Sequence, residues 1–540
     1  MTKTEKMRND LLDYLNREKE IIQQSIEEHK GLSDDEKIEA GVLVRCTDYK
    51  EIGENTYECS VSENYTKWRT GDRVTLVGRG FPLRVNAIMV DNLQESIVII
   101  AENRLKENLQ LDIIYEEAIF TDTIINLLES AEDGDEMTYF IDVLSCETHP
   151  LAQGMNPIDF SPEEDLDEDQ NNAVKKILQK PYIYCLQGPP GTGKTKVLSS
   201  VAKAFSQKGK DVLILALTHQ AVNNALNAVA TYHVPLTKIG EPLKGMGLHG
   251  HIVQKKDFKK FCAGRRKTKY SKGDVVGMTL HSAIINFGLM RRGFSPSVVL
   301  IDEASQIPLP TSSVLGVIGS SSYVFFGDER QMPPIFQPEL TNSPLSVSIF
   351  EYLKNIIHGD FKTTLHTTYR MNSIICDFVS RNFYEPYGIK LHSFSDISNR
   401  KVDDENIENS IEHILIESKE CTDFNEAEAQ EAVQIAKKYQ TKGENVAIIT
   451  PFRKQVNLMR QLWCEIPNSK DILIDTVERL QGQDVDVIIL STSVSDLDYY
   501  KKTCVFIENA NRLNVIFSRA KKKAIVIISP LIKTMICHLI

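Results

Sequence analysis

Tyr182-Ile-Tyr-Cys-Leu186, then Gln187, then Gly188-Pro189-Pro190-Gly191-Thr192-Gly193-Lys194-Thr195 is the stretch that decides the fold. The apolar run reads as a buried strand, and the glycine-rich loop after it fits Gly-x-x-x-x-Gly-Lys-Thr with a helix beginning near Lys194. Glycines let successive backbone N–H groups turn inward around phosphates, and the helix N-terminus adds the positive end of its dipole. In such a loop Lys194 reaches the outer phosphates of a nucleotide and Thr195 ligates Mg2+.

Working outward, Val298-Val299-Leu300-Ile301 is again apolar and ends in Asp302-Glu303. A strand of this kind places both carboxylates at the C-terminal edge of a parallel sheet, where ligands bind. Such a pair by itself often only caps the next helix. Behind a phosphate loop it reads as chemistry: Asp302 holds Mg2+, and Glu303 orients and deprotonates a water. Transfer of a γ-phosphoryl group also needs cations on that group, and Arg370 and Arg519 are the candidates, though each alone reads equally as a surface arginine.

The chain has 540 residues, enough for three to four domains. Its formal net charge of −12 argues against a protein that coats nucleic acid non-specifically but leaves room for one basic channel. Ten cysteines without a CxxC spacing argue against a zinc module or a secreted disulfide framework. No apolar run reaches the ~18 residues of a membrane span. The N-terminus has no signal-peptide core, so the expected compartment is the cytoplasm, or the nucleus of a eukaryote.

Residues 1–38 read as a helix, with Leu11, Leu15, Ile22 and Ile26 on one seam: an intramolecular stalk, slightly preferred over an ordinary packed helix or a dimerising one. Residues 39–112 change to short β-like runs punctuated by glycine, the pattern of a small β-barrel, and a second helical stretch follows near 115–131, within the expected second stalk segment 113–150. From 151 to 340, and again from 341 to 540, apolar strands alternate with helical stretches. This is the signature of two successive α/β domains with parallel sheets. The first carries a basic insertion at about 240–275.

At this point the motifs form an ordered set that resembles superfamily 1 helicases of the up-frameshift (nonsense-mediated decay) and immunoglobulin-mu-binding type. The resemblance runs from Leu166 to about Lys523. Leu166–Gln170 resembles the Q motif, implying that Gln170 reads the adenine edge. Gly188–Thr195 and Asp302–Gln306 resemble motifs I and II. Gly327-Asp328-Glu329-Arg330-Gln331 through Pro334 resembles motif III, with Gln331 sensing the γ-phosphate. Tyr369-Arg370-Met371 resembles motif IV, implying a tyrosine stacked on adenine and an arginine finger. Asp475–Asp484, which includes Gln481, resembles motif V, with Asp484 at the nucleotide where glutamate is usual. Asn511–Ala520 resembles motif VI, with Arg519 the second finger. Strand contacts are implied for Thr218, Thr279, Thr450 and Thr476. Thr218-His219-Gln220 departs from the usual motif Ia.

What the resemblance implies is two tandem RecA-like P-loop domains, a helical stalk and barrel before them, and ATP with Mg2+ in the cleft. It implies 5′-to-3′ movement on single-stranded DNA or RNA. Arg69–Val74 is the best fragment for the barrel. The segment Lys255–Lys272, with Arg265, Arg266 and Lys267 and the interleaved aromatics Phe258, Phe261 and Tyr270, is the candidate for extra grip on phosphates, against the plainer reading of a solvated loop. An ATP-gated clamp without processive unwinding would use the same ATP site. A P-loop kinase or strand-independent switch would not need Gln331, Arg370, Gln481 and Arg519. A separate nuclease or adaptor is an expected partner, and a membrane is not.

Overall fold

The computed structural model describes residues 1–536 apart from 54, 62, 67, 69–72, 93–95, 107, 116–119, 149–156, 180, 241–246, 250, 256–257, 267–272, 291–292, 468 and 481. Arg69–Asp72, Lys267, Tyr270 and Gln481 therefore lie outside the described residues. The chain divides into two compact units, Met1–Asp133 with Gln337–Ser343, and Gly134–Phe336 with Pro344–Ile540.

The first unit begins with the helix Lys3–Gly31, opened by a Thr2/Glu5 capping box. Leu11 and Leu15 on its seam are fully buried, whereas Ile22 and Ile26 are half-buried. The helix Thr121–Glu129 lies against it, tied by Thr121 Oγ1 donating to Glu18 (3.1 Å) and by the Lys19–Asp122 ion pair (2.6 Å). Between them six antiparallel strands close a barrel: β1 (Leu43–Gly53), β2 (Thr56–Val61), β3 (Arg73–Gly78), β4 (Arg84–Asn92), β5 (Ser96–Ala101) and β6 (Leu111–Tyr115), ordered β1-β2-β5-β4-β3-β6. The β1–β6 pairing removes the sheet edges. Alternate residues point inward, so Tyr57, Cys59, Val61, Ile97, Ile99 and Ala101 are buried.

The second unit carries two parallel sheets. The larger contains β7 (Ile183–Gln187), β8 (Val212–Ala216), β9 (Leu236–Ile239), β10 (Val253–Lys255), β11 (Val275–Thr279), β12 (Val298–Ile301), β13 (Tyr323–Gly327) and β14 (Lys362–Thr364), in the order β10-β9-β11-β8-β12-β13-β7-β14. After the short pair β15 (Thr367–Thr368) and β16 (His392–Ser393), the second sheet holds β17 (Ile411–Leu415), β18 (Val446–Ile449), β19 (Leu473–Asp475), β20 (Val485–Ser491) and β21 (Ala520–Ile528), in the order β17-β21-β20-β18-β19. Central strands β7, β8, β11, β12 and β13 are buried at every residue because helices cover both faces.

Two boundaries differ from those expected. The first sheet takes β14 from beyond residue 341, pairing Lys362–Thr364 with Cys185–Gln187, so the first α/β domain continues to about Thr364. The expected second stalk segment is shared: Thr121–Glu129 belongs to the first unit. Helix Glu136–Leu144 belongs to the second, where Gly316 leaves room for its backbone and for Phe140.

Candidate nucleotide cleft and strand-contact edge

The strand order sets the site. β12, β13 and β7 are neighbours, so Asp302, Asp328 and the loop Gly188–Gly193 emerge along one C-terminal sheet edge. Gly191 (φ 74°) and Gly193 (φ 81°) have left-handed backbones that suit glycine. A Cβ on Gly193 would lie 2.4 Å from Gln170 Nε2, and one on Gly191 2.5 Å from Thr368 Oγ1. The helix Lys194–Gln207 opens with no side-chain cap, leaving its first N–H groups for an anion.

Lys194 Nζ lies 3.4 Å from Glu303 Oε1 and 3.9 Å from Asp302 Oδ1. Burial works against its charge, but the carboxylates of Glu303, Asp302 and Asp328 outweigh it and hold the ammonium above its usual pKa. Burial raises Asp302, with Lys194 opposing. For Glu303 burial is overcome by Lys194 and Arg519, which keep the carboxylate below the usual range and ionised. Glu303 sits at φ 52°, a left-handed backbone costly for a side chain, and Gln306 Nε2 donates to its Oε2 at 3.2 Å.

The second domain closes on this edge. Tyr369 N donates to Gly191 O (2.8 Å) and Thr368 Oγ1 to Pro190 O (2.9 Å). Arg519 is buried and its Nη2 donates to Gln331 Oε1 (3.4 Å), while its Nε has no hydrogen-bond partner. Arg370 donates to Ser518 O (3.2 Å), and both its enclosure and neighbouring Arg519 lower its pKa. Two guanidiniums side by side, one with an unused buried N–H, form a positive site that an anion would complete. Asn511 Nδ2 donates to Gln331 O (2.6 Å) and Asn514 Nδ2 to Arg330 O (2.6 Å), locking the stretch after β13 to the helix Ala510–Phe517.

Gln170 and Tyr369, expected on the adenine side, both hydrogen-bond Asp167. Gln170 Nε2 donates to Thr192 O (2.9 Å) and its Oε1 accepts from Asp167 N (3.2 Å), so this side chain braces the phosphate loop and has one donor and one acceptor position left. Tyr369 donates to Asp167 Oδ2 (2.7 Å), and its ring lies 4.9 Å from that of Phe394. Asp484 pairs with Lys521 (2.8 Å); burial is outweighed by Lys521, Arg370 and Arg519, which hold its carboxyl below the usual range. Thr195 is half-buried, one helical position past Lys194.

Thr218, Thr279, Thr450 and Thr476 stand at the C-terminal ends of β8, β11, β18 and β19. Thr218 and Thr279 cap the following helices, accepting from Ala221 N (3.2 Å) and Ser282 N (3.3 Å). Thr218 is exposed, Thr279 and Thr476 are 8% exposed, and Thr450 is fully buried with its hydroxyl shared with Ser493 (3.0 Å). Thr450 therefore lies behind its sheet edge, whereas Thr218 is exposed on its own.

The basic insertion needs correction at Arg265. Its guanidinium is ion-paired with Asp211 and Asp274, donates Nε to Gly293 O (3.1 Å), and packs over the rings of Phe261 and Phe294. Phe258 and Phe261 are buried as well, so they offer no stacking face. Arg265 holds the helix Phe258–Arg266 to the ends of β8 and β11; it is not a cation presented to a strand. The side chain of Arg266 lies outside the described residues. What the sequence did not disclose is Tyr384, a second-domain side chain that reaches Asp328, and the role of Asn514 beside it. A tyrosine in a helical stretch reads as ordinary core.

Two RecA-like α/β domains pooling one phosphate site define a two-domain P-loop NTPase fold. AAA-domain family models match residues 165–344 and 345–530. The DNA replication ATP-dependent helicase/nuclease dna2 of Schizosaccharomyces pombe is 28% identical over 408 residues, covering 67% of this chain and 27% of its own length. An uncharacterized ATP-dependent helicase of Methanocaldococcus jannaschii is 24% identical over 574 residues, covering 86% of this chain and 83% of its own. The ATP-dependent helicase NAM7 of Saccharomyces cerevisiae is 26% identical over 417 residues, covering 68% of this chain and 42% of its own. The chain therefore carries two AAA-type domains and is similar to ATP-dependent helicases, the dna2 and NAM7 proteins among them, and it spans less than half the length of either of those two.

Proposed function

We propose that this protein is an ATP-driven helicase or translocase that moves 5′-to-3′ along single-stranded DNA or RNA. The observation that carries the reading is the catalytic set drawn from both domains: Lys194, Glu303 and Gln331 from the first, Arg370 and Arg519 from the second, with Arg519 already on Gln331. ATP would lie in the cleft, with its outer phosphates on the N–H groups of Gly188–Thr195 and on Lys194. Glu303, kept ionised by Lys194 and Arg519, orients the attacking water and takes its proton. Arg370 and Arg519 meet the charge that spreads onto the γ-phosphoryl oxygens. Thr195, a hydroxyl at the start of the helix after the loop, and the buried carboxylate of Asp302 suit Mg2+, which when bound would offset the charge of the phosphates. Gln170 and Tyr369 are assigned to the adenine side, and Asp484 to the nucleotide.

Hydrolysis removes the γ-phosphate contact that favours closure, so the cleft reopens. A strand held along the C-terminal edges of both sheets, at Thr218, Thr279 and Thr476 with Thr450 behind, is then advanced once per cycle. Such contacts go to phosphates and are independent of sequence. The named activities of the relatives support this reading, and the helicase/nuclease naming of the dna2 protein suggests that a separate nuclease or adaptor works beside the chain. A labelled duplex with a 5′ overhang tests it. Displacement with ATP, absent for a 3′ overhang, supports a 5′-to-3′ motor. Strand-stimulated hydrolysis without displacement of duplex or roadblock would favour an ATP-gated clamp.

A further inference from the structure

Tyr384 is fully buried at the end of a π-helical turn, Ser380–Tyr384, and packs into the core of the second domain. Single π-turns are frequent at functional positions. Its hydroxyl leaves that core and donates to Asp328 Oδ2, a first-domain carboxylate, at 2.6 Å. Gln331 Nε2 donates to the same oxygen at 2.8 Å. Asn514 Nδ2 donates to the Tyr384 hydroxyl at 2.9 Å within the second domain and to Arg330 O of the first at 2.6 Å, so both amide hydrogens are used and one crosses the domain boundary.

The circuit closes on itself. Asp328 orients the Gln331 amide, the other end of which accepts from Arg519. Arg519 follows the helix Ala510–Phe517, which carries Asn514, and Asn514 returns to Tyr384. Every member is buried: Tyr384, Asp328 and Asn514 at 0%, Arg519 at 5% and Gln331 at 6% exposure. A phenol that merely fills a core needs one acceptor in its own domain. This one shares an oxygen with the residue assigned to the γ-phosphate, and only a hydroxyl can donate to Asp328 while accepting from Asn514.

We propose that Tyr384 is a positioning residue for ATP hydrolysis, fixing Asp328, and through it the Gln331 amide, only while the second domain is seated on the first. The inference rests on the ATP-hydrolysing reading above. It makes the γ-phosphate sensor conditional on closure, because withdrawing Tyr384 frees the oxygen that aims Gln331. Burial and Glu329 raise the pKa of Asp328, while the hydrogen bonds from Tyr384 and Gln331 and the charge of Lys194 oppose that rise. Losing the Tyr384 donor therefore raises Asp328 further, and protonation of Asp328 removes the acceptor that Gln331 uses.

The test is Tyr384→Phe in the full chain, assayed for ATP hydrolysis with a saturating strand across about pH 5 to 9. Expected is a KM for ATP within about twofold of the parent and a kcat lowered about tenfold or more. The acid limb of the kcat profile moves to higher pH, and adding Tyr384→Phe to Asp328→Asn costs nothing more. An unchanged kcat overturns the proposal, as does a fall in kcat that leaves the pH limb in place and adds to Asp328→Asn. Should Tyr384→Phe fail to fold, Asn514→Ser removes the donor to Tyr384 while keeping the ring, and the same readouts apply. A parent protein whose hydrolysis ignores every strand fails the motor reading instead, a separate result.

Discussion

Glu303 carries a left-handed backbone at φ 52°, two residues past the buried end of β12. A strained non-glycine residue beside two other ionised groups indicates a position held for chemistry. Glu303→Gln keeps the shape and removes the base. Expected is retained nucleotide binding with turnover lowered by about 10² to 10⁴, read by steady-state hydrolysis beside a nucleotide titration; equal loss of both would assign Glu303 to binding. Arg370 makes the converse case. It sits beside Arg519, and enclosure and that like charge lower its pKa against the opposing pull of Asp484 and Glu303, so its charge is held at a net cost. Arg370→Met should therefore raise the melting temperature without nucleotide and lower both turnover and the stabilisation ATP confers. A lower melting temperature without nucleotide would contradict the repulsion. The identities of Lys194, Glu303 and Arg519 were legible because each lies in a local motif. Tyr384 was not, because its partners lie 56 and 130 positions away in sequence.

At the scale of elements, the inner strands were legible because burial on both faces forces continuous Val, Ile and Leu. β14 was not, since Lys362-Thr-Thr is a half-buried polar strand at a sheet edge and carries no apolar signature. The basic helix Phe258–Arg266 shows how charge alone misleads: Arg265 looked like a phosphate contact, yet Asp211 and Asp274 consume it. Arg265→Ala leaves the buried Asp211 without its cation and should cost about 3–5 kcal/mol. Chemical denaturation reads the loss, and the salt dependence of strand binding should not change; a flattened salt slope would restore Arg265 to the strand. Glu428, in the helix Glu426–Thr441, is pushed up to about 7 by burial, against hydrogen bonds that include Ser493 N and Ser491 Oγ. The folded state thus binds the proton more tightly than the unfolded chain. The stability Glu428 contributes is full below its unfolded pKa of about 4.3 and is lost as pH rises through about 7. Urea midpoints of the parent relative to Glu428→Gln should fall between about pH 5 and 8; a constant difference would show that the carboxyl titrates normally.

The whole second unit reads as two parallel sheets facing one cleft, each lending charges that the other cannot supply. The first domain alone has the phosphate loop, the carboxylates and Gln331. The second brings Arg370, Arg519 and the Tyr384–Asn514 pair, and the contacts Tyr369–Gly191 and Asn511–Gln331 bind them into one site. The measurement that tests this most directly is ATP hydrolysis by the purified protein alone, with single-stranded DNA, and with single-stranded RNA, using Lys194→Ala as the blank. The account predicts stimulation of about tenfold or more by a strand, abolished by Lys194→Ala, with the better stimulator naming the substrate. Turnover indifferent to both strands, or surviving Lys194→Ala, would contradict it.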